Sequence, residues 1–257
     1  DYSVYLNFNF YMRIGFHHFI FVLLLLTTSC QVTETIHFNE DGSGTIAVEM
    51  LRIEQSYQQL AGEEYNKGEV FVDTTYVFDD YISKHSETFS KLTPEDKAVF
   101  NAYKGVKVHT KKNSFEKEFR TTFTQNFLQA NQIADLYKTQ EYVSDIVHNY
   151  ALSAEEHYYK VAFKLSSNEF KRMVTIIDEE HLKREQATIN NYKKQLGDKK
   201  MHQRITLSYH FTKKIKSVSI PNAKVSPDKK SVEISFGLLE SLFDPTSTSV
   251  VIVFEES

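Results

Sequence analysis

Two imidazoles and two carboxylates lie within ten residues of one another, at His148, Glu155, Glu156 and His157. These are ligand types that zinc accepts, and together they could fill a four-coordinate site. Their spacing argues against it. Ligands on one helical face recur at i,i+4, whereas these four straddle a predicted helix end and a loop, where they read as a solvated connection. His202 and His210 share a predicted strand face but stand eight residues apart. That is about 26 Å along an extended strand, too far for one metal. Adjacent acids occur at Glu63–Glu64, Asp79–Asp80 and Glu179–Glu180. A glycosidase needs carboxyls roughly 5–10 Å apart across a cleft, and neighbouring acids at a helix start complement its dipole instead. The turn-like NEDGSG at 39–44 offers oxygen ligands but lacks the spaced carboxylates of a calcium loop. No G-x-S-x-G, no suitably placed S-x-x-K and no H-E-x-x-H occurs, and eight glycines leave little from which to build a phosphate loop. The expectation is a non-enzyme with no catalytic residue, no metal and no cofactor.

One reactive side chain is left, the single cysteine Cys30. It excludes an intrachain disulfide and closes the stretch FVLLLLTTSC at 21–30. Upstream stand Met12, Arg13 and a thirteen-residue apolar run from Ile14 to Leu26, interrupted by Gly15, His17 and His18. A basic residue, an apolar core and then small residues is the plan of a secretory signal. The run is too short to span a bilayer, which takes roughly 20 residues. The eleven residues before Met12 are expected to be an upstream extension. Residues 1–29 are therefore assigned to that extension plus a signal, and 30–257 to a single domain.

On Arg13, the apolar run, Thr27-Thr28-Ser29 and Cys30, this segment resembles a bacterial lipoprotein signal, cut by a type II signal peptidase directly before the lipid-bearing cysteine. The family pattern has an aliphatic residue three before the cysteine; here Thr27 holds that place and Leu26 comes one earlier. The resemblance implies a diacylglyceryl group on the Cys30 sulfur and a further acyl chain, such as palmitate, on the new amino terminus. Each buried methylene contributes about 0.8 kcal/mol, so one chain anchors marginally and several anchor durably. Gln31, where an Asp would signal inner-membrane retention, implies the outer membrane, and the single acid of QVTETI implies a periplasm-facing position. The resemblance ends there and is silent on activity; it points to an uncharacterised envelope lipoprotein. Separately, Asp73-Thr74-Thr75 resembles a tripeptide that some Gram-negative lineages O-glycosylate, which makes Thr74 a candidate, against the plainer reading of a polar strand end.

The rest must be positioned by an ordinary globular chain. Of its 257 residues, 41% are hydrophobic and 25% charged, with net charge −4. That composition argues against disorder and gives nucleic acid no basic surface. Twenty Phe, fifteen Tyr and no Trp suit an aromatic core. Alternation around NEDGSG predicts a hairpin, and VKVHT with EFRTTF a second one. EVFVDTTYVF, HYYKVAFKL, QRITLSYHF, SVEISF and SVVIVF read as strands, the last covered on both faces. Helices are predicted near 79–89, at TPEDKAVFNAYKG, where Thr93 caps and Pro94 leads, over 127–150, and over 178–196 with a thin apolar stripe. The predicted class is α+β: a largely antiparallel sheet of about seven or eight strands with about four helices packed mainly on one face. The partners expected are the membrane, through the lipid on Cys30, and an envelope protein or glycan, with no nucleic acid. Two functions remain: a non-catalytic envelope binding or structural module, and a hydrolase of envelope polymers working through an unrecognised acidic or His–acid site.

Overall fold

In a computed structural model, the protein is described over residues 29–53, 71–113, 118–148, 157–196 and 203–256. The first hairpin forms as its alternation predicts. Strands β1 (Ser29–Phe38) and β2 (Gly44–Ile53) pair antiparallel in unbroken register. Asp41 holds the turn by accepting from the Ser43 amide at 3.0 Å and its hydroxyl at 2.6 Å. Gly42 takes φ +82°, a left-handed conformation that favours glycine. A Cβ on Gly44 would collide with the His37 carbonyl oxygen.

Ten further strands follow among the described residues: β3 (Phe71–Val77), β4 (Lys107–Asn113), β5 (Glu118–Phe127), β6 (Tyr159–Leu165), β7 (Glu169–Ile176), β8 (Arg204–His210), β9 (Ile215–Val218), β10 (Lys224–Val225), β11 (Ser231–Gly237) and β12 (Val250–Phe254). They make two sheets. Sheet A has eight strands in the order β10-β11-β8-β1-β2-β5-β4-β3, and sheet B has four, β6-β7-β12-β9. Six α-helices are described: α1 (Phe78–Lys84), α2 (Ser86–Ser90), α3 (Pro94–Asn101), α4 (Thr139–His148), α5 (Glu179–Leu196) and α6 (Leu238–Phe243). The expected cap of α3 is present, with the Thr93 hydroxyl accepting from the Asp96 amide at 3.1 Å and Pro94 in the first turn.

The α+β class stands, and three finer expectations are corrected. Sheet A is mixed, because β1 pairs antiparallel with β2 but parallel with β8, Gln31 to His37 against Arg204 to His210. A second sheet and two more helices exist beyond the expected count. The helix expected over 127–150 is a strand end, two short 3-10 turns at Ala130–Gln132 and Leu136–Lys138, and then α4. The reason is common to all three. Alternation states which face of a strand is buried but not which strand lies beside it, and apolar spacing at three to four residues suits a run of turns as well as one helix.

One face of sheet A meets sheet B. Val32, Ile36 and Phe38 of β1, Ile46 and Val48 of β2, and Leu207 and Tyr209 of β8 are buried together with Phe163, Phe170 and Val174 of sheet B. The Phe38 ring stacks on Phe211 at 5.4 Å and meets Phe170 edge-on at 5.4 Å, while Phe170 meets Tyr209 at 5.0 Å. Helix α5 buries Ile189 and Tyr192 against Leu239 of α6, so its thin stripe is a packing surface.

Candidate functional site

Glu34 occupies an inward position of β1, between Val32 and Ile36, where an apolar residue would be expected. It is 0% exposed. Opposite it, on β7, stands Arg172, also buried. The guanidinium Nε donates to the two Glu34 carboxylate oxygens at 3.1 and 3.3 Å, and NH2 adds a third bond at 3.2 Å. Tyr209 donates its hydroxyl to Glu34 at 2.6 Å and Tyr137 does so at 3.0 Å. The remaining guanidinium nitrogen donates to the Thr248 carbonyl at 3.1 Å and hydroxyl at 2.9 Å. Burial, with the Glu34 carboxylate beside them, drives both tyrosine hydroxyls well above their ordinary range, so they stay protonated donors. Each charge is matched by donors or acceptors at good geometry, which a buried ion pair requires to offset its desolvation. The centre ties sheet A to sheet B and leaves both ions fully engaged within the protein.

Beside it lies a second buried polar group. Asp135 accepts the Val161 amide on Oδ2 at 3.0 Å, and its carbonyl accepts the Tyr103 hydroxyl at 2.8 Å. Asp135 Oδ1 and Glu141 Oε2 have no partner among the described residues. Burial pushes both carboxyls up, each to about 6. Lys138 and Asp145 are buried nearby in sequence, and His157 approaches Glu141 at 3.9 Å. Such carboxyls can hold a proton near neutrality.

The opposite face of sheet A is polar. In register across it run Thr33, Thr206, Ser235, Glu49, Thr122, His109 and Thr75. Arg120 bridges to Glu49 at 2.5 Å, and His109 meets Asp73 at 2.8 Å. His37 of β1 and His210 of β8 are register partners whose rings stack at 4.1 Å between centroids, 14° from parallel. Next to them an open groove of about 320 Å³ is lined by Ser208, His210, Lys224, Ser226 and Glu233 among others. His210 shares a hydrogen bond with the Ser208 hydroxyl at 3.2 Å. Burial, and the neighbouring His37, hold the His210 imidazole below its usual range.

The residues singled out by sequence are dispersed. Cys30 is the second residue of β1, in register with Arg52 of β2, one residue before the pairing with β8 begins at Gln31. Thr74 is exposed on β3, at the edge of sheet A, paired with Thr110. His148 turns back on its own helix, its Nδ1 3.0 Å from the Ser144 carbonyl, while His157 faces Glu141. They do not converge, and Glu155 and Glu156 lie outside the described residues. So do His202, Glu63, Glu64 and the segment up to residue 28, where a signal is expected. Asp79 and Asp80 sit in the first turn of α1, and Glu179 and Glu180 in that of α5, as dipole partners. Among the described residues no group of three or more His, Cys, Asp or Glu is poised to hold a metal, and no helix is long and apolar enough to cross a membrane. Sequence reasoning passed over Glu34–Arg172 and His37–His210. The signal available for the first was a glutamate standing in the apolar parity of a strand.

No protein-family model matches the sequence, and no curated protein matches it. Among solved structures, the NMR structure of the LppM folded domain from Mycobacterium tuberculosis is similar at a TM-score of 0.38 and 6% identity, covering 90% of this chain and 92% of that one.

Proposed function

We propose that this chain is a lipid-anchored module of the bacterial cell envelope, acylated on Cys30, seated in the outer membrane facing the periplasm, and non-catalytic. The observation that carries the reading is the place of Cys30 in the fold. It lies at the first residues of a strand central to an eight-stranded sheet, with ladder pairing from Ser29 onward. An acyl group there would hold the end of the sheet at the bilayer with almost no linker, so the domain would be presented in a set orientation. The non-catalytic part is supported by the Glu34–Arg172 centre, whose charges are spent on each other and on buried donors. The module would bind an envelope protein or glycan. Thr74 fits an O-glycan acceptor in one respect, its exposure on an edge strand; intact mass of the exported protein should then carry hexose increments that vanish in Thr74→Ala.

Mass spectrometry of membrane-extracted protein tests the anchor. Wild type should begin at Cys30 and carry diacylglyceryl mass, and Cys30→Ala should remain unprocessed. An unmodified Cys30 with residues 1–29 retained would sink the reading. A second reading, hydrolysis of an envelope polymer, is favoured by one observation, the two carboxyls held near 6 at Asp135 and Glu141. It requires that Glu141→Gln abolish turnover of peptidoglycan or glycan substrates by the purified protein without unfolding it.

A further inference from the structure

His37 and His210 stand 173 positions apart in sequence and are brought side by side by the parallel pairing of β1 with β8. Neighbouring strands run about 4.8 Å apart, so two in-register side chains on one face reach the same point in space. Here both are imidazoles, on the solvent face, with His37 exposed and His210 half-buried. Face-to-face stacking at 4.1 Å consumes neither ring's nitrogens. Among the described residues the nitrogens of His37 have no hydrogen-bond partner, and His210 uses one of its two on Ser208. Imidazole lone pairs lie in the ring plane, so a shared ion requires both rings to leave the stack, each turning about χ1 and χ2 until one nitrogen of each faces the same point. Imidazole is a preferred donor for copper- and zinc-type cations. Burial and His37 disfavour a proton on His210, with Asp228 acting weakly the other way, so the ring is held neutral and its lone pairs are kept for a metal; Glu233 lines the adjoining groove, where Lys224 approaches it at 3.7 Å. Thr35, Thr45 and Ser231, which flank the pair in register, bring no charge of their own.

We infer that His37 and His210 form a two-imidazole chelate on the outer face of sheet A, which takes a copper- or zinc-type divalent cation from solution, with water and groove oxygens completing its coordination. The site is independent of the anchor on Cys30 and of any role for the buried carboxyls. Its neutral rings are the binding form, so protons compete with the metal. Lys224 opposes the cation, while Asp228 and Glu233 support it.

The test uses the full chain, prepared without a polyhistidine tag, titrated with Cu²⁺ and followed by electron paramagnetic resonance and calorimetry. Wild type should take up one equivalent with the splitting of two nitrogen donors. His37→Gln and His210→Gln should each fall to a one-nitrogen pattern and weaken binding by about tenfold or more, while His109→Gln should leave it unchanged. Release should follow as pH drops from 7.5 to 5.5. Because both rings lie on the solvent face, unfolding midpoints of the variants should match wild type. No saturable binding in wild type would overturn the inference, as would two-nitrogen coordination that survives His37→Gln and His210→Gln.

Discussion

The two faces of sheet A are built by the same strands and obey different rules. Along β1, Glu34 and Ile36 point into the sandwich while Thr35 and His37 point to solvent; along β8, Tyr209 goes in and Ser208 and His210 go out. Inside, the Glu34 charge is fully satisfied by bonds from Arg172, Tyr137 and Tyr209. Outside, Glu49–Arg120 and Asp73–His109 are pairs that water could replace on either side. The contrast teaches how one sheet treats its polar groups: the Glu34–Arg172 bonds are locked between the sheets, whereas the other face keeps its polar groups at the solvent.

The sharpest way to break that contrast is Arg172→Met. It leaves the Glu34 carboxylate buried beside two hydroxyls, and removing one partner of a buried pair costs about 3–5 kcal/mol. Urea unfolding at pH 7 should register that loss. Glu34→Leu combined with Arg172→Met should recover much of the deficit, since an apolar replacement of both ions removes the desolvation cost. If the single variant were as stable as wild type, the centre would not hold the sheets together.

Asp135→Asn tests the neighbouring carboxyl and has a sign of its own. The folded carboxyl sits at about 6, against an ordinary 3.8. Between those values the native state binds more protons than the unfolded chain, so stability is greatest below 3.8 and is lost as pH rises through 6. The loss is on the order of 3 kcal/mol. Asparagine can still accept the Val161 amide, so the variant should show a flatter stability profile from pH 4 to 7.5. A slope equal to that of wild type would remove Asp135 as its source.

Arg120→Ala should matter least. Its carboxylate partner Glu49 is about a third exposed, and exposed ion pairs contribute about 0–1 kcal/mol. The midpoint should move by less than for either substitution above, and the small change should fade in high salt. A loss as large as that of Arg172→Met would erase the distinction between the two faces.

Much of the fold was legible one element at a time. The NEDGSG turn, the Thr93–Pro94 start of α3, and the alternation of β4, β5, β6 and β8 are local matters, set by φ preferences, capping and a period of two. Partnership was not legible. QRITLSYHF announces a strand with Tyr209 inward and His210 outward, yet nothing in it names β1 as its neighbour or makes the pairing parallel. The same gap hid both polar centres. Glu34 could be seen as a charge out of place in an apolar register, but Arg172 lies 138 residues away on another sheet. His148 and His157, although close in sequence, turn to different partners, Ser144 and Glu141.

By itself, then, the sequence determined the α+β class, the faces of most strands, and a signal-like segment ending at its single cysteine, because each of these depends on residues within a few turns of one another. Tertiary structure alone decided that β1 sits between β2 and β8, that a second sheet closes over Glu34, and that two distant histidines share one patch of surface. Those outcomes depend on which buried faces fit together. Closing the long loops between them costs only slightly more as the loops lengthen, so separation in sequence carries little information about who meets whom.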